Sequence, residues 1–366
     1  MIKIGFVGDI FPGGCWALKD GLTQDVLSLL EQLDLRVANL ETAFGDGSVQ
    51  CHIKMADPTL GNTLFCPDQC IEVVKKLKID VVSLANNHAC DCDLQGLTHT
   101  IELLDQNGIK HFGAGRNKEE AERPAIVNVK GKQVGLLGYF PPGWEAPYPP
   151  TETEGGLNQF YIEKVCKDVE ALKETCDYVF VMPHWGWEYT VCPRSIDVIN
   201  AKKIIEAGAA GVLGAHTHTV QPVIKYKGSI MALSLGNYVF PDRYIAPPRK
   251  TYYPKLNEIE GKDIPFTNVF EIVDTLTLHG MPTKSRIGML CEVDIDDARI
   301  DFKKAYVRMT SSNLLKVTNI GFVLRTKLLL VGWMMKDQHS IIYRAFYRLR
   351  AYYHRVQDKL HIKHPM

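Results

Sequence analysis

Residues 210–218 read AGVLGAHTH, and a second apolar run, SIMALSLGN, follows at residues 229–237. Each stretch contains a run of apolar residues that predicts a buried strand. His216 and His218 stand one residue apart directly after the first strand, and in an extended loop both imidazoles can reach one point. That arrangement suits metal binding. The alternative for an isolated His-x-His pair is a core or solvent-exposed position, so the interpretation depends on ligands from other strand ends.

The remainder of the first 240 residues repeats a pattern of strand, loop and helix. We predict strands at Ile2–Val7, Leu35–Leu40, Ile79–Leu84, Ile109–Ala114, Ala125–Val129, Gln133–Tyr139 and Tyr178–Met182. We predict helices at Leu22–Leu33, Pro67–Lys78, Leu94–Gln106, Phe160–Thr175 and Ile196–Ala207. This alternation predicts a layered α/β core, in which ligands bind at the carboxyl ends of the strands.

Side chains that can ligate a metal follow five of the predicted strands. They are Asp9, Glu41, Asn87 with His88, His184, and His216 with His218. Taken alone, Asp9 fits a helix cap or a turn equally well. Together, oxygen ligands mixed with imidazoles suit Mn, Fe or Zn, and a carboxylate with further ligands on each side is what a two-metal hydrolase requires. We therefore predict one or two divalent metal ions at this edge of the sheet.

Composition limits the classes of partner. The 366 residues carry 42 basic and 42 acidic side chains, so the formal net charge is 0 and no global field favours nucleic acid as a partner. The amino terminus enters a strand pattern without a signal-peptide pattern, which predicts a cytoplasmic protein. Among ten cysteines, the close pairs Cys66/Cys70 and Cys90/Cys92 lack the partner pair of a structural zinc site, so we predict core thiols.

Six motifs in this order resemble the bacterial capsule synthesis family, also called the CapA or poly-gamma-glutamate synthesis family. The motifs are Gly8-Asp9; Asn39 to Thr42; Asn86-Asn87-His88 with Asp91 and Gly96; His184 to Gly186 with Glu188-Tyr189; Gly214 to His218 with Gln221; and Ser234 to Asn237. The resemblance covers about Ile2 to Phe240. The family is similar to the calcineurin-like metallophosphoesterases, which implies a four-layer α/β sandwich with two mixed β-sheets flanked by helices.

The resemblance also implies roles for individual residues. Glu41 would bridge two metal ions, with Asp9 and His218 on one ion and Asn87, His184 and His216 on the other. His88, oriented by Asp91, would act as the general acid that protonates the leaving oxygen. The residues expected to contact substrate are Trp185, Trp187, Glu188, Tyr189 and Asn237. These aromatic side chains and Trp144 can stack on a sugar ring or a base, and the alternative is that some of them pack the loops against the core.

Two positions depart from the pattern of the metallophosphoesterases. Phe11 stands where a metal-binding histidine is usual, and Thr217 replaces a proline between the paired histidines. The implied function is a metal-dependent, phosphoesterase-like hydrolase in capsule, exopolysaccharide or poly-gamma-glutamate synthesis, acting on a cell-surface polymer or its phosphorylated precursor. The alternative is a non-catalytic assembly factor that binds the polymer or precursor in the same cleft.

The end of the chain changes character after Phe240. We predict a polar segment, Pro241–Pro265, draped over the core, and then strands that complete the second sheet: Asn268–Leu278, Ile287–Ile295 and Ile300–Met309. A domain over residues 1–310 would then be followed by a basic, aromatic tail, 311–366. Residues 340–366 contain six Lys or Arg and one Asp. Such a helix either contacts the inner face of the membrane peripherally or is solvated. The oligomeric state is left open.

Overall fold

The computed structural model describes residues 1–48, 54, 63–143, 148–247, 250–262, 264–268, 275–296 and 299–336. Trp144 and the basic segment 340–366 lie outside the described residues. The α-helices of the described chain are α1 Gln24–Glu31, α2 Ile71–Lys76, α3 Asp93–Gln106, α4 Lys118–Glu122, α5 Ile162–Leu172, α6 Ser195–Glu206, α7 Leu256–Ile259 and α8 Phe322–Lys336. Short 3-10 helices lie at Gly14–Ala17, Asp68–Cys70 and Thr283–Arg286.

The β-strands have the following bounds in chain order. They are β1 Ile2–Ile10, β2 Leu35–Leu40, β3 Ala43–Phe44, β4 Phe65–Cys66, β5 Val81–Ser83, β6 Lys110–Phe112, β7 Ala114–Gly115, β8 Ala125–Val129, β9 Lys132–Tyr139, β10 Gly156–Leu157, β11 Tyr178–Pro183, β12 Gly211–Leu213, β13 Val223–Tyr226, β14 Ser229–Ala232, β15 Asn237–Val239, β16 Arg243–Ala246, β17 Lys250–Tyr252, β18 Phe266–Asn268, β19 Thr277–Gly280, β20 Ile287–Asp296, β21 Arg299–Met309 and β22 Leu315–Thr318.

Two mixed sheets form the centre of the molecule. The first has the order β22-β21-β20-β1-β2-β5-β6, with β15 also paired to β1. Its strands β1, β2, β5, β6 and β15 run parallel, while β20 to β22 run antiparallel. The second sheet has the order β13-β14-β12-β11-β9-β8 and is parallel except at its two edge strands. The parallel strands of each sheet therefore bring their carboxyl ends to one edge.

Helices cover the outer face of each sheet. Ile4 and Phe6 of β1 pack between the sheets, and the ring of Phe6 lies 4.9 Å from that of Phe180 in β11. Strand β1 is almost continuously apolar because both of its faces are buried. On the outer faces, α1 to α3 pack on the first sheet, and α5, α6 and α8 pack on the second. The prediction of a four-layer sandwich with two mixed sheets is confirmed.

Several elements after residue 230 differ from the prediction. The predicted strand Ser229–Leu235 is shorter in the structure, because β14 ends at Ala232 in the second sheet, and the next strand, β15, pairs with β1 in the first. Gly236 makes the crossing at φ +67°, where a Cβ would lie 2.8 Å from the Ile287 carbonyl oxygen. Strands β20 and β21 extend the first sheet, not the second, since β20 pairs with β1.

The last described segments also belong to the sandwich. The predicted polar segment Pro241–Pro265 contributes β16 and β17 to a separate four-stranded sheet. Residues 311–336, predicted as part of a tail, contain β22, which extends the first sheet, and α8, which packs on β13. No helix in the described ranges is long and apolar enough to cross a membrane.

Candidate metal centre

Asp9 lies near the end of β1, where three strands meet. A Cβ on the preceding Gly8 would lie 1.8 Å from the Gly236 carbonyl oxygen, so only glycine permits this close approach of backbones. The Asp9 carboxylate accepts a hydrogen bond from the Asn39 side-chain amide at 2.9 Å and from the His216 backbone N–H at 3.3 Å. Burial raises the pKa of Asp9 to about 7. A nearby cation would favour the ionised form.

Glu41 follows β2 directly and is fully buried. Among the described residues, neither of its carboxylate oxygens has a hydrogen-bond partner. The Nε2 atoms of His184, His218 and His88 lie 3.7, 3.8 and 3.9 Å from Oε1. Burial and then the charge of Asp9 raise the pKa of Glu41 well above its ordinary value. A buried carboxylate without donors is costly unless a cation compensates for it.

Two buried histidines and an amide converge on one side of Glu41. His184 follows β11, and its Nε2 lies 2.9 Å from Asn87 Oδ1 and 3.1 Å from His216 Nδ1. His216 adopts φ +89° and His218 φ +52°, so the loop after β12 is held in the left-handed region at both histidines. Burial lowers the pKa of His216 and His218 to about 3 and that of His184 well below its ordinary value. The imidazoles are therefore neutral at pH 7, which is the form that binds metals.

The orientation of His218 is set by Asn237. The Asn237 side-chain N–H donates to the Ser285 carbonyl at 2.9 Å, so its Oδ1 faces His218 Nδ1 at 2.8 Å. The Nδ1–H of His218 donates to that oxygen, and its Nε2 is left facing Glu41. Asn237 was expected to contact substrate, whereas the structure places it behind a candidate ligand. Such outer hydrogen bonds orient metal-binding histidines.

The candidate ligands fall into two overlapping groups. Glu41, His184 and His216 form one, and Asp9, Glu41 and His218 form the other, with the ligand atoms of each group within 4.8 Å of one another. Glu41 belongs to both groups, as expected of a bridging carboxylate. The unpaired Glu41 oxygens and the neutral imidazoles fit divalent cations. The six residues predicted as ligands thus lie together at the carboxyl ends of the strands.

His88 and Asp91 form a buried pair beside Glu41. His88 Nδ1 lies 2.6 Å from Asp91 Oδ2, and the Lys54 ammonium donates to Asp91 Oδ1 at 2.6 Å. Burial, followed by the charge of Lys54, lowers the pKa of His88 to about 4. Burial would raise the pKa of Asp91, but the Lys54 charge and the hydrogen bonds from His88 and Lys54 lower it below its ordinary value. Asp91 therefore stays ionised and fixes the Nδ1–H tautomer, which leaves His88 Nε2 facing Glu41.

Two buried cations near the centre were not anticipated from the sequence. Lys54 also donates to the Asn87 carbonyl at 2.8 Å. Arg243, in β16, is 6% exposed, and its Nε has no hydrogen-bond partner in the described part of the chain. The Arg243 guanidinium lies 5.7 Å from the ring of Phe240, which lies 5.3 Å from that of His218. No motif singles out either residue, because both lie in segments without a periodic pattern.

The aromatic residues expected near the substrate occupy different environments. Trp185 is buried in the core, where its indole N–H donates to the Leu233 carbonyl at 3.1 Å and its ring meets the edge of Phe160. Stacking on a substrate is therefore not available to Trp185, and this prediction is corrected. Trp187 is 44% exposed, and the Tyr189 ring lies 5.5 Å from that of His218.

Glu188 and two phenylalanine rings complete the surroundings of His218. Glu188 Oε1 lies 3.7 Å from His218 Nε2, at the partly exposed rim. Phe11 is fully buried, with its ring 5.3 Å from that of Phe240. The position of the usual histidine therefore contributes to an aromatic wall beside His218. Thr217 braces the histidine loop by donating to the Thr219 carbonyl at 2.9 Å.

The candidate ligand groups in the described part of the chain contain no cysteine. Cys66, Cys70, Cys90 and Cys92 are buried and form no disulfide, as expected of core residues. Burial raises the pKa of Cys66 well above its ordinary value, which disfavours the thiolate form that metals bind.

Comparison with protein families identifies a match over residues 3–242, to the bacterial capsule synthesis protein PGA_cap. The capsule biosynthesis protein CapA of Bacillus anthracis is 31% identical over 180 residues, which are 48% of this chain and 44% of that protein. The PGA biosynthesis protein CapA of Bacillus subtilis is 27% identical over 251 residues, covering 66% and 63% of the two chains. The matches thus span about half to nearly two thirds of these relatives.

The matches among solved structures have low sequence identity. A putative 5'-nucleotidase from Staphylococcus aureus matches with a TM-score of 0.42 and 12% identity, over 90% of this chain and 58% of that one. The NAD nucleotidase of Haemophilus influenzae matches with a TM-score of 0.40 and 12% identity, over 98% and 68% of the two chains.

Proposed function

Because the chain belongs to the bacterial capsule synthesis protein family, we propose that it hydrolyses a phosphate ester during the synthesis of a cell-surface polymer, with one or two divalent metal ions. The observation that carries the proposal is Glu41, whose two buried oxygens lack hydrogen-bond donors and are shared by two groups of candidate ligands. Divalent cations held by these groups would compensate for the buried carboxylate. The relatives' roles in capsule and PGA biosynthesis support the polymer context.

The ligand roles follow from the two groups. Glu41, Asp9 and His218 would hold one ion, and Glu41, His184, His216 and Asn87 would hold the other. When bound, such ions lower the pKa of a coordinated water and stabilise negative charge on phosphoryl oxygens. Phe11 offers no ligand atom to the first group, so we expect the ion beside Asp9 to bind more weakly than the ion beside His184.

His88 is the proposed proton-transfer group. Its Nδ1–H is held by Asp91, and its Nε2 is free of a proton at neutral pH because the pKa lies at about 4. An anionic ester bound near Nε2 would raise the pKa of His88, since a nearby negative charge favours the imidazolium. Nε2 would then carry the proton that the leaving oxygen needs. Lys54 and Asp91 hold the ring in place throughout.

Arg243 is the proposed contact for the anionic part of the substrate. It is a buried cation, and no described carboxylate lies within ion-pair distance of it. Its charge acts on the centre. It partly opposes the rise in the pKa of Glu41, and it contributes to the lowered pKa of His218. A guanidinium binds phosphate or carboxylate groups through two parallel hydrogen bonds. Glu188, Tyr189 and the exposed Trp187 would line the rim around the rest of the substrate.

The test combines metal content with hydrolysis of a generic phosphomonoester and phosphodiester in the presence of manganese. We expect His88→Ala to lower turnover by about 10²- to 10⁴-fold while metal content stays near that of the wild type. His216→Ala should lose both metal and turnover. His99→Ala, at an exposed histidine paired with Asp68 outside the centre, is the matched control and should change neither.

Wild-type protein that contains metal but hydrolyses neither ester would contradict the proposal. In that case the non-catalytic alternative, in which the cleft binds a polymer or its precursor, would account for the site. Turnover that persists in His88→Ala would refute only the role of that histidine.

A further inference from the structure

The outward face of α8 is apolar. Its exposed large apolar residues are Phe322 (82%), Val323 (67%), Leu329 (67%), Leu330 (58%) and Trp333 (56%). The opposite face is anchored, since Val331 and Met335 are buried in the core of the second sheet. The helix is therefore held in place by one face while the other presents apolar side chains to the surroundings. A continuous apolar face of this kind marks an interaction surface.

Basic residues border this face on both sides. At about 100° per residue, the five exposed apolar side chains fall within an arc of about 120°. Arg325 lies at one margin of the arc and Lys327 at the other, and the buried residues lie opposite. Basic side chains at the borders of an apolar face are typical of a helix that lies in the plane of a membrane interface.

Further cations surround the helix. The charge of Arg325 helps to lower the pKa of Lys304, after the effect of burial, and Lys327 does the same for Lys284. None of these four residues has an acidic partner within ion-pair distance in the described part of the chain. The surface around α8 is therefore positively charged and complements an anionic partner. In the sequence that follows, residues 340–366 carry six basic side chains against one acidic one.

We propose that α8 docks the protein on the surface of an anionic lipid bilayer. Phe322, Leu329 and Trp333 would lie among the acyl chains near the headgroups, with Arg325 and Lys327 at the level of the lipid phosphates. The 15 residues of α8 span only about 22 Å, which is shorter than the hydrocarbon core, so the helix would lie in the interface. Apolar insertion and electrostatic attraction then act together.

The positive charge around α8 favours an anionic bilayer over the two other candidates that could cover this face, a second copy of the chain and the segment 340–366. A second copy of the chain would bring the same basic borders to this face, and the basic segment 340–366 would add further positive charge, so neither would neutralise Arg325 and Lys327. An anionic bilayer neutralises these residues as it covers the apolar ones. The proposal is independent of the metal chemistry, so the two can fail separately.

The helix α8 also contacts the segment that follows the histidine loop of the candidate centre. A Cβ on Gly332 would lie 3.3 Å from Pro222, four residues beyond His218. The proposed docking helix is therefore packed directly on the segment after the histidine loop. This places the lipid-binding surface and the candidate centre on neighbouring elements.

The test is co-sedimentation of the full chain with vesicles of phosphatidylcholine alone or of phosphatidylcholine mixed with phosphatidylglycerol. We expect the wild type to bind only the anionic vesicles. Changing Leu329, Leu330 and Trp333 together to Gln should weaken binding by about tenfold or more. Arg325→Gln with Lys327→Gln should weaken it by about 25-fold, at about fivefold per basic residue. The control is Ile196→Gln with Ile199→Gln, which removes exposed apolar residues from α6 and should leave binding unchanged.

Tryptophan fluorescence gives an independent readout. We expect emission to shift to shorter wavelength on addition of anionic vesicles, and this shift should be lost in Trp333→Phe, which should still sediment with vesicles. The proposal would be overturned if the wild-type protein did not bind anionic vesicles. It would also be overturned if the Leu329/Leu330/Trp333 variant bound them as strongly as the wild type does. A dimer that the same variant dissociates, without vesicle binding, would assign the face to a second copy. Trp333 emission that vesicles leave unchanged would indicate that the chain itself covers the face.

Discussion

Removal of divalent ions should destabilise the protein relative to its metal-loaded form, by an amount that grows as pH rises above about pH 6.5. In the metal-free protein, burial raises the pKa of Asp9 from 3.8 to about 7 and that of Glu41 well above 4.5. The folded state then retains protons that the unfolded chain has already released. By linkage, the stability associated with each raised carboxyl pKa is lost as pH rises through the folded-state value.

The size of the loss follows from the two carboxyl groups. Between about pH 6.5 and 8.5, Asp9 contributes a loss of about 1 kcal/mol, because its folded-state pKa lies inside this window. Glu41 adds to this loss, because its pKa in the folded state is also raised. Relative to the metal-loaded protein, the free energy of unfolding should therefore fall by about 1 kcal/mol or more. A bound cation would already have displaced these protons, so the metal-loaded protein should show no such loss.

The histidines explain why the comparison with metal-loaded protein is needed. Burial lowers the pKa values of His88, His184, His216 and His218 below the ordinary value of 6.5, so the unfolded chain takes up more protons than the folded state from about pH 3 to above pH 7. In that range the histidines make stability rise with pH and oppose the effect of the carboxyl groups. The folded imidazoles are neutral with or without metal, so this contribution cancels in the difference between the two profiles, and the carboxyl groups set that difference.

The assay is thermal or denaturant unfolding from about pH 5.5 to 8.5, with chelated protein and with manganese-loaded protein. Glu41→Gln should abolish the stabilisation by manganese, and with it the pH-dependent difference between the two profiles. Glu120→Gln is the control: Glu120 is bound by Arg116 far from the centre, and its lowered pKa of about 2 places its linkage below the window. Parallel profiles with and without metal would refute the reasoning.

Three substitutions extend the test to single contacts. Asn237→Leu should weaken metal binding by about 10- to 100-fold, measured by titration with manganese, because His218 Nδ1 loses its acceptor; unchanged affinity would contradict the orienting role. Lys54→Met should destabilise the protein by about 3–5 kcal/mol in denaturant unfolding, since Asp91 is left buried without its cation; a loss below about 1 kcal/mol would mean that the pair adds little. Gly8→Ala should cost about 3 kcal/mol or more, because its Cβ would collide with the Gly236 carbonyl, whereas Gly143→Ala meets no described neighbour within 4 Å and should be near neutral.

The sequence predicted the candidate ligands because their positions follow from local patterns. Apolar runs mark the strands, and a polar residue after a parallel strand lies at the edge of the sheet whatever the loop lengths. Asp9, Glu41, His184 and His216 obey this rule. The roles of Asn237 and Trp185 were not predictable, because their environments depend on the crossing of the chain between sheets at Gly236 and on the packing of α5. Both are long-range features without a local signal.

The positions of the buried charged residues and the packing of α8 also lack a local signal in the sequence. Lys54 and Arg243 come from segments without periodicity, and only the folded chain brings them beside Glu41. Residues Phe322–Met335 are apolar apart from Arg325, Thr326 and Lys327, but periodicity does not tell which face of a helix is packed when apolar residues occur all round it. The packing of Val331 and Met335 decides this, and it leaves Phe322 and Trp333 exposed.

Charge balance connects these unpredicted residues with the metal centre. Four carboxylates adjoin the centre, namely Asp9, Glu41, Asp91 and Glu188, and two cations do, Lys54 and Arg243. In their ionised forms they leave a charge of about −2, since the imidazoles are neutral. Without metal, the raised pKa values of Asp9 and Glu41 show that protons supply the missing positive charge. One divalent ion would replace those protons, and a second would leave an excess of about +2. That excess matches a phosphate dianion, so Arg243→Gln should weaken phosphate binding to the metal-loaded protein without changing its metal content.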